Sequence, residues 1–524
     1  MRNNAKLELL QRLNNEDVWR YIMRATFHLK TLAVAIATFS VANMSNAAGL
    51  DRSGQDITAF LQDGTYAEAV YTYIDADVSG YDNQRVATDD ANYVQGRDTG
   101  EVAESYDFFR YGVKTDINDT FSVGVLYDEP FGAAAAYNGD SNFVGAPTAA
   151  IDGLIASQLA GKLPGVTTAQ GLDTYVKGAQ QTLAAGREQV KQAEAAIAAN
   201  PALESTLRPQ IVAGKAQIAA GEAQLAPLQG LNSYAASQLA NTEGTKVEVR
   251  SENISAILGM KVGANKNFQI YGGPVAQRVQ ADVKLRGSAY GPATGYTSHI
   301  SPDQDYGWLA GVAYSKPEIA LKAALTYRSE IDHSMDITET YPLAGLLAGN
   351  PAAATQTNNM EITTPKSVNF DFQTGINPTT LATAKVRWVP WGDFSIVPPL
   401  YNAVSKNNPA YGPDGLALVE YADDQWQVEL GLAKRIMPAL AVSGTVGWDS
   451  GSGDPTTSLG PIDGYYSVGL GAKYNVTPEW AVSAGGKYLW FGDAKGQLPT
   501  QQIVGDFQDN DGYIVGVKLS YQGK

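Results

Sequence analysis

Cysteine is absent from this chain. That one absence removes disulfide frameworks, thiolate zinc sites, cysteine nucleophiles and thiolate-bound iron–sulfur clusters together. Histidine is almost absent too: only His28, His299 and His333 occur in 524 residues, none with a second histidine at ligand spacing. Neither a histidine-based metal centre nor a catalytic triad is supported, and no metal, cofactor or enzymatic activity is expected. Basic residues are the minority, 38 Lys and Arg against 54 Asp and Glu, giving a formal charge of −16. That sign argues against nucleic acid as a partner, because phosphate binding needs a positive field. Charged residues of both signs make up only 18% of the chain, below the ~25% usual for a soluble domain. What is plentiful instead is glycine, at 53, and tyrosine, at 28.

The N-terminus carries an export address. Residues 32–42 read LAVAIATFSVA, an apolar run preceded by Arg24 and Lys30 and followed by Ser45-Asn46-Ala47. These eleven residues are too few to span ~30 Å of hydrocarbon as a helix. The pattern fits a cleaved signal peptide over residues 1–47, with Ala48-Gly49 as the mature start. Met23 opens a compact n-region, which makes it a candidate for the true start of translation. The exported chain would carry 32 basic and 51 acidic residues, a charge of −19.

No later stretch approaches the ~18 consecutive apolar residues of a membrane-crossing helix, so any membrane insertion must use a closed barrel. Barrel strands alternate apolar and polar or small residues over about ten positions. Trp480, Val482, Ala484, Gly486, Tyr488 and Trp490 alternate with Ala481, Ser483, Gly485, Lys487 and Leu489. The same alternation runs through Tyr466, Val468, Leu470, Ala472 and Tyr474, through Trp426 to Leu432, and through Leu440 to Trp448. Aromatic rings bracket these apolar stripes, as lipid-facing strands require at the two membrane interfaces. The opposite face carries Gly, Ser, Ala, Thr, Lys and Arg, which suits a wet or narrow lumen and would ruin a soluble core. Fourteen such segments can be read, at 66–80, 105–116, 120–128, 245–262, 267–286, 306–315, 319–336, 366–374, 380–398, 424–434, 438–449, 464–475, 479–491 and 512–522. Short turns such as 117–119 and 263–266 alternate with long polar stretches such as 329–365. The fold class is therefore all-β: a transmembrane antiparallel β-barrel of about 14 strands, spanning residues 66–524, with the short segment 48–65 as an N-terminal plug.

One insertion breaks the pattern. Over residues 130–243 the composition shifts to Ala, Gln, Leu and Lys, which are good helix formers. Val176, Leu183, Val190 and Ile197 are spaced by seven, Asn200-Pro201 interrupts, and Ile211, Ile218 and Leu225 resume the spacing. This predicts an antiparallel α-helical hairpin in an external loop. An accessory domain packing on itself is preferred to a ligand funnel or oligomer contact.

The run 314–333, YSKPEIALKAALTYRSEIDH, resembles the hairpin of the FadL/TodX family of outer-membrane transporters in which a proline turn leads into a strand ending Ser/Thr-Tyr-Arg-Ser. The run 364–391, TPKSVNFDFQTGINPTTLATAKVRWVPW, is similar to a later hairpin of the same family. Weaker likenesses lie at residues 73–80 and at Ala48-Gly49. The resemblance implies a fourteen-stranded barrel in the outer membrane of a Gram-negative bacterium, surrounded by outer-membrane lipid. It further implies transport of long-chain fatty acids or other hydrophobic small molecules, with the N-terminal segment as an internal hatch and release by hatch movement or a wall opening. The family's hatch is longer and contains Asn-Pro-Ala. Here that tripeptide begins at Asn200, Asn350 and Asn408, all in loops or the insertion.

A fatty acid is an apolar tail with a carboxylate, so its carrier needs a greasy slot and a cation held away from bulk water. By strand parity Lys322, Arg328, Lys385 and Arg387 face the lumen, as do Lys473, Lys487 and Lys518. Arg328, Arg387, Lys385 and Lys322 are the candidate ligand cations; the preferred reading of any one of them pairs it with Asp or Glu across the interior, fixing the hatch or wall. Phe60 and Leu61 of the hatch are candidate apolar contacts, alternatively part of a small amphipathic turn behind Asp56. The loop 341–354, YPLAGLLAGNPAAA, is apolar for an external segment, and its Leu343, Leu346 and Leu347 are candidates for capture from outside; a loop tucked over the barrel mouth is the competing reading. A monomer taking up long-chain fatty acids is expected, with a general porin or a structural or adhesive barrel as the alternatives.

Overall fold

The computed structural model describes residues 50–145 and 148–523. The signal-peptide expectation falls on residues outside these. Fourteen strands form the barrel: β1 Thr65–Asp77, β2 Tyr106–Asp116, β3 Phe121–Asp128, β4 Lys246–Val262, β5 Phe268–Lys284, β6 Thr297–Lys316, β7 Leu321–Arg328, β8 Ser367–Asn377, β9 Thr380–Val389, β10 Gln425–Met437, β11 Leu440–Asp449, β12 Tyr465–Asn475, β13 Trp480–Phe491 and β14 Asp511–Gly523. Each pairs antiparallel with the next in chain order. β14 returns to β1 in register from Thr65↔Gly523 to Asp77↔Asp511, so the ring has no open edge. Closure leaves the ring without a terminal sheet edge, which is the condition for strands in hydrocarbon.

Inside and outside are inverted relative to a soluble protein. On β12 the outward residues Tyr466, Val468 and Leu470 are 66%, 45% and 78% exposed, while inward Ser467 is buried. Aromatic rows lie at two levels. Trp448, Tyr466 and Trp490 are cross-strand neighbours on one, and Phe268 with Tyr314 and Trp480 with Tyr521 make ring pairs on the other. Trp480 and Trp490 are ten residues apart on β13. At ~3.3 Å per residue and a tilt of ~40°, that is roughly 25 Å of membrane depth, the height of a barrel's apolar band.

Connections at the two ends differ. The turns 117–120, 263–267, 317–320, 378–379, 438–439 and 476–479 lie at one end with the barrel's chain termini, and all long connections lie at the other. In barrels of this kind the short turns are periplasmic and the long loops external.

The strands depart from the sequence-based segments in places. β6 begins at Thr297, nine residues before the expected 306. β9 stops at Val389, because Pro390 lacks an N–H for the ladder. The expected strand 319–336 breaks at 329–330, and the chain resumes as Ile331–Thr340, which pairs with Thr355–Thr364 from Ile331↔Thr364 to Thr340↔Thr355. The stretch 329–365 is thus a β-hairpin extension where a polar loop was expected. A third extra strand, Gly132–Ala136, pairs with the start of β4. Its run of alanines reads as helix former, yet pairing with an existing strand edge prevails over propensity.

The helices sit between β3 and β4: α1 Thr148–Leu159, α2 Ala169–Ala199 and α3 Glu204–Leu239. α2 and α3 form the expected antiparallel hairpin. The heptad residues pack on glycines of the facing helix: a Cβ on Gly221 would lie 2.7 Å from Leu183, one on Gly214 3.0 Å from Val190 and one on Gly186 3.5 Å from Ile218. Arg187–Glu222 and Lys215–Glu194, both 2.6 Å apart, join the outer faces. At the base, Lys284 and Arg286 donate to Glu243 at 2.8 and 2.9 Å, and those hydrogen bonds hold its carboxyl below the usual range. Each Asn-Pro-Ala opens a 3₁₀ turn in which the asparagine Oδ1 accepts from the alanine N–H, at 3.2 Å for Asn200 and 3.1 Å for Asn350 and Asn408.

Candidate functional site

The external mouth of the barrel is filled. Loop side chains and the upper strands share one apolar cluster, in which Trp391 makes edge contacts with Phe131, Phe394 and Tyr421, and Tyr296 with Tyr341 and Tyr401. Two short helices, α4 Pro342–Leu347 and α5 Pro399–Ser405, take part. Glu339, fully buried, accepts from the first N–H groups of α5 at Leu400 and Tyr401, 2.7 and 2.9 Å, and from the Tyr296 hydroxyl at 2.9 Å. Leu343 is buried in this layer and Leu346 packs against it, whereas Leu347 is exposed. The apolar loop is therefore largely tucked over the mouth, with one leucine offered to solvent.

Beneath it, residues 50–64 run through the lumen. The Asp56 carboxylate accepts from the Thr58 backbone N–H at 2.6 Å and starts a turn that Phe60 N–H to Ile57 O, 3.0 Å, continues. This turn presents Ile57 and Phe60, both fully buried, to Tyr66, Leu126, Ile257, Tyr271 and Leu309 of the wall. The Phe60 and Tyr271 rings are 5.7 Å apart. A small apolar turn thus docks the segment on one side of the barrel.

Its polar side is held by the cations that strand parity pointed inward. Arg387 donates through Nε and Nη2 to the two oxygens of Asp51, and through Nη1 to Asn369 Oδ1 at 2.8 Å and Gln55 Oε1 at 3.2 Å. Asn369 in turn donates to the Gly54 carbonyl at 2.7 Å, and Ser367 to Gln55 Oε1 at 2.6 Å. Lys385 lies 3.0 Å from Asp56 and 3.3 Å from Asp371. Lys322 donates to the Leu61 carbonyl at 2.9 Å and to Asp63 at 3.3 Å. Arg328 reaches Ser255 at 3.2 Å and the Gln55 carbonyl at 3.5 Å, while its buried Nε–H has no hydrogen-bond partner. Further along, Lys518 pairs with Glu68 at 2.6 Å and Lys487 pairs with Glu429. Sequence reasoning found the cations; it missed their partners Asp51, Gln55 and Asp56, which lie in a short segment with no periodicity to mark them.

Below the segment the lumen opens. A cavity of about 960 Å³ faces the short-turn end, roofed by Thr58, Leu61, Gln62, Asp63 and Gly64. Eight basic side chains line it, Lys261, Lys266, Lys322, Lys385, Lys434, Arg435, Lys473 and Lys518, against Asp63, Asp116, Asp119 and Asp371. Phe372, Leu381 and Leu440 supply apolar wall. On the external side, a void of about 10 Å³ between Gln55, Arg328 and Ile331 admits no more than a water molecule.

A closed ring with grease outward, an apolar-filled external mouth and a polar-clamped segment across its lumen defines a plugged outer-membrane β-barrel. The family model described as outer membrane protein transport protein (OMPP1/FadL/TodX) matches residues 173–522. The chain belongs to this family, whose members carry hydrophobic compounds across the outer membrane of Gram-negative bacteria and are transport channels, not enzymes. Among solved structures, a FadL homologue of Pseudomonas aeruginosa superposes with a TM-score of 0.57 at 12% identity, covering 93% of this chain and 99% of that one. The toluene transporter TodX of Pseudomonas putida gives a TM-score of 0.45 at 9% identity, covering 93% of this chain and 100% of that one. The first of these likenesses carries the fold. No curated protein matches the sequence.

Proposed function

We propose that this barrel takes up long-chain fatty acids, or other hydrophobic compounds bearing a carboxylate, and works as a monomer. The observation that carries the reading is the cavity under the plug, where eight cations face four carboxylates beside Leu61, Phe372 and Leu440, in a chain of net charge −16. A plain hydrocarbon asks only for apolar wall. An amphiphile with a carboxylate asks for apolar wall and cations together.

The plug contacts suggest how passage proceeds. Asp51, Asp56 and Asp63 neutralise Arg387, Lys385 and Lys322. When the segment moves aside its carboxylates leave with it, and the same cations are then available to the carboxylate of a ligand. Arg328 starts with one N–H already unpartnered. Capture begins at the external loop, where Leu347 is exposed and Leu343 and Leu346 belong to the packed layer that must part. Phe60 and Leu61 then offer apolar contact to the tail, and exchange of one carboxylate for another costs far less than exposing a buried guanidinium unpaired.

Equilibrium binding of labelled oleate and of toluene to detergent-purified protein tests this. Saturable oleate binding that weakens at least tenfold in Arg328→Met and Lys385→Met is expected. Equal affinity for both ligands, or no oleate binding, would overturn it, and free sugar permeation in liposome swelling would make the barrel an open porin.

A further inference from the structure

One polar cluster lies outside everything the transport reading uses. β6 pairs with β7 up to Leu309↔Arg328, and its first residues pair with the strand Ile331–Thr340 at Ile300↔Ile337. Between these two zippered stretches, residues 301–307 and 330–336 face each other without ladder pairs. The wall there is an unzipped seam, filled near Gly307 by the side chains of Ser329 and Ile331. Exposed Tyr306 and Trp308 mark the end of it nearer β7. A bulge at Ser301-Pro302 shifts the register against β5 between Val279↔Asp303 and Ala281↔Ile300, and bulges of this kind re-aim the side chains that follow. Asp303 and Asp305 lie on one strand of this seam, and His333 lies on the other.

The ligating atoms of Asp303, Asp305 and His333 all lie within 4.8 Å of one another. His333 has no exposed surface. Its Nε2 is 3.0 Å from Gln277 Oε1, an oxygen that can only accept, so Nε2 carries the proton and Nδ1 the lone pair. Nδ1 is aimed at Asp303 Oδ2 from 3.4 Å, and neither buried atom has a hydrogen-bond partner. Two acceptors facing each other across that distance want a cation between them. Two ligand atoms each ~2.0–2.1 Å from a tetrahedral ion stand roughly 3.3–3.4 Å apart. Gln277 is also held by the Thr364 hydroxyl, so the imidazole is oriented by an outer partner as metal-binding histidines are.

We propose that Asp303, Asp305 and His333 form a binding site for a divalent first-row transition ion, with Zn²⁺ as its probe. One imidazole and two carboxylates suit Zn²⁺, Ni²⁺ or Mn²⁺, and the absence of thiolate disfavours softer ions. The ion bridges β6 to the hairpin extension and so fastens the unpaired part of the wall. The ligands come from strands about thirty residues apart in the chain, which is why no histidine spacing reveals them.

The test uses the full chain, purified in detergent with a tag free of histidine and stripped with a chelator. Calorimetric titration with Zn²⁺ and elemental analysis should give one tightly held ion per chain. His333→Gln and Asp303→Asn should each lower affinity at least tenfold, while keeping the heat-modifiable gel mobility of a folded barrel. Zn²⁺ should raise the unfolding temperature of the wild type and not that of His333→Gln, and Asp332→Asn, on the exposed face of the same strand, should bind as the wild type does. Failure of the wild type to take up a stoichiometric ion, or equal affinity in His333→Gln and Asp303→Asn, overturns the site. Should His333→Gln not fold, Asp303→Asn and Asp305→Asn decide the question alone.

Discussion

At the scale of single residues, the lumen is governed by a rule of pairing. Arg387 is only 5% exposed, yet it reaches four oxygens: both of Asp51, with those of Gln55 and Asn369. Buried ion pairs add little net stability over an apolar replacement, but removing one partner strands the other charge. The cluster is therefore best understood as a positioning device, fixing where the plug sits and in what register. Arg387→Ala leaves the Asp51 carboxylate buried and unpaired, and should lower stability by about 3–5 kcal/mol. Urea unfolding of the purified barrel measures this, and limited proteolysis should show earlier cleavage within residues 50–64. Arg387→Lys should fall between, since a single ammonium cannot reproduce the bidentate contact. A stability change under 1 kcal/mol, with unaltered cleavage, would mean that the apolar docking of Ile57 and Phe60 holds the plug unaided.

At the scale of elements, the helical hairpin and the strands were readable in the sequence for the same reason: each has a period. Heptad spacing marked Leu183 and Val190 as packing positions of an antiparallel hairpin, where the structure sets them against Gly221 and Gly214, and alternation marked all fourteen barrel strands to within a few residues at most ends. What the sequence concealed lacks a period or depends on a distant partner. Ala133 to Ala136 became strand only because the start of β4 offered an edge. Beyond residue 336 the hairpin 331–364 reads as polar loop because, above the membrane level, the outward residues of its second strand are Thr357, Asn359, Glu361 and Thr363 instead of apolar ones. The inward cations were legible by parity, whereas Asp51 and Asp56 sit on an irregular segment whose path only the closed barrel defines. One anchoring contact of the insertion depends on pH. Hydrogen bonds from Lys284 and Arg286 depress the Glu243 carboxyl in the folded state. Its contribution is therefore fully present above the unfolded value near ~4.3 and fades as pH falls through the lower folded value. Hydrogen exchange of residues 240–246 and 284–297 should be unchanged from pH 7 to 5 and accelerate, relative to the intrinsic rate, below about pH 4. In Glu243→Gln that extra acceleration should vanish.

At the scale of the whole molecule, an inverted distribution of polarity organises everything else. A barrel with Lys518, Lys487 and Arg387 inside and Leu470, Val468 and Val517 outside cannot fold in water around an apolar core. Its stability comes from lipid, and its interior is free to carry charge. That freedom permits the plug and the cationic cavity, while the same strands present an uninterrupted apolar band about 25 Å tall between the aromatic rows. Leu470 lies midway along β12 between Tyr466 and Tyr474, 78% exposed and level with Gly486 and Val515 on the neighbouring strands. Leu470→Arg should therefore cost about 2–4 kcal/mol, the penalty for a cation at the bilayer midplane. The same substitution at Tyr466, on the interface row, should cost no more than about 1 kcal/mol apart from the lost ring contacts. Reversible unfolding in lipid vesicles, with both variants compared in one lipid, gives the two values. Depth dependence is the discriminating result: equal penalties at the two positions would mean that β12 does not face hydrocarbon, and the assignment of outside and inside would fail with it.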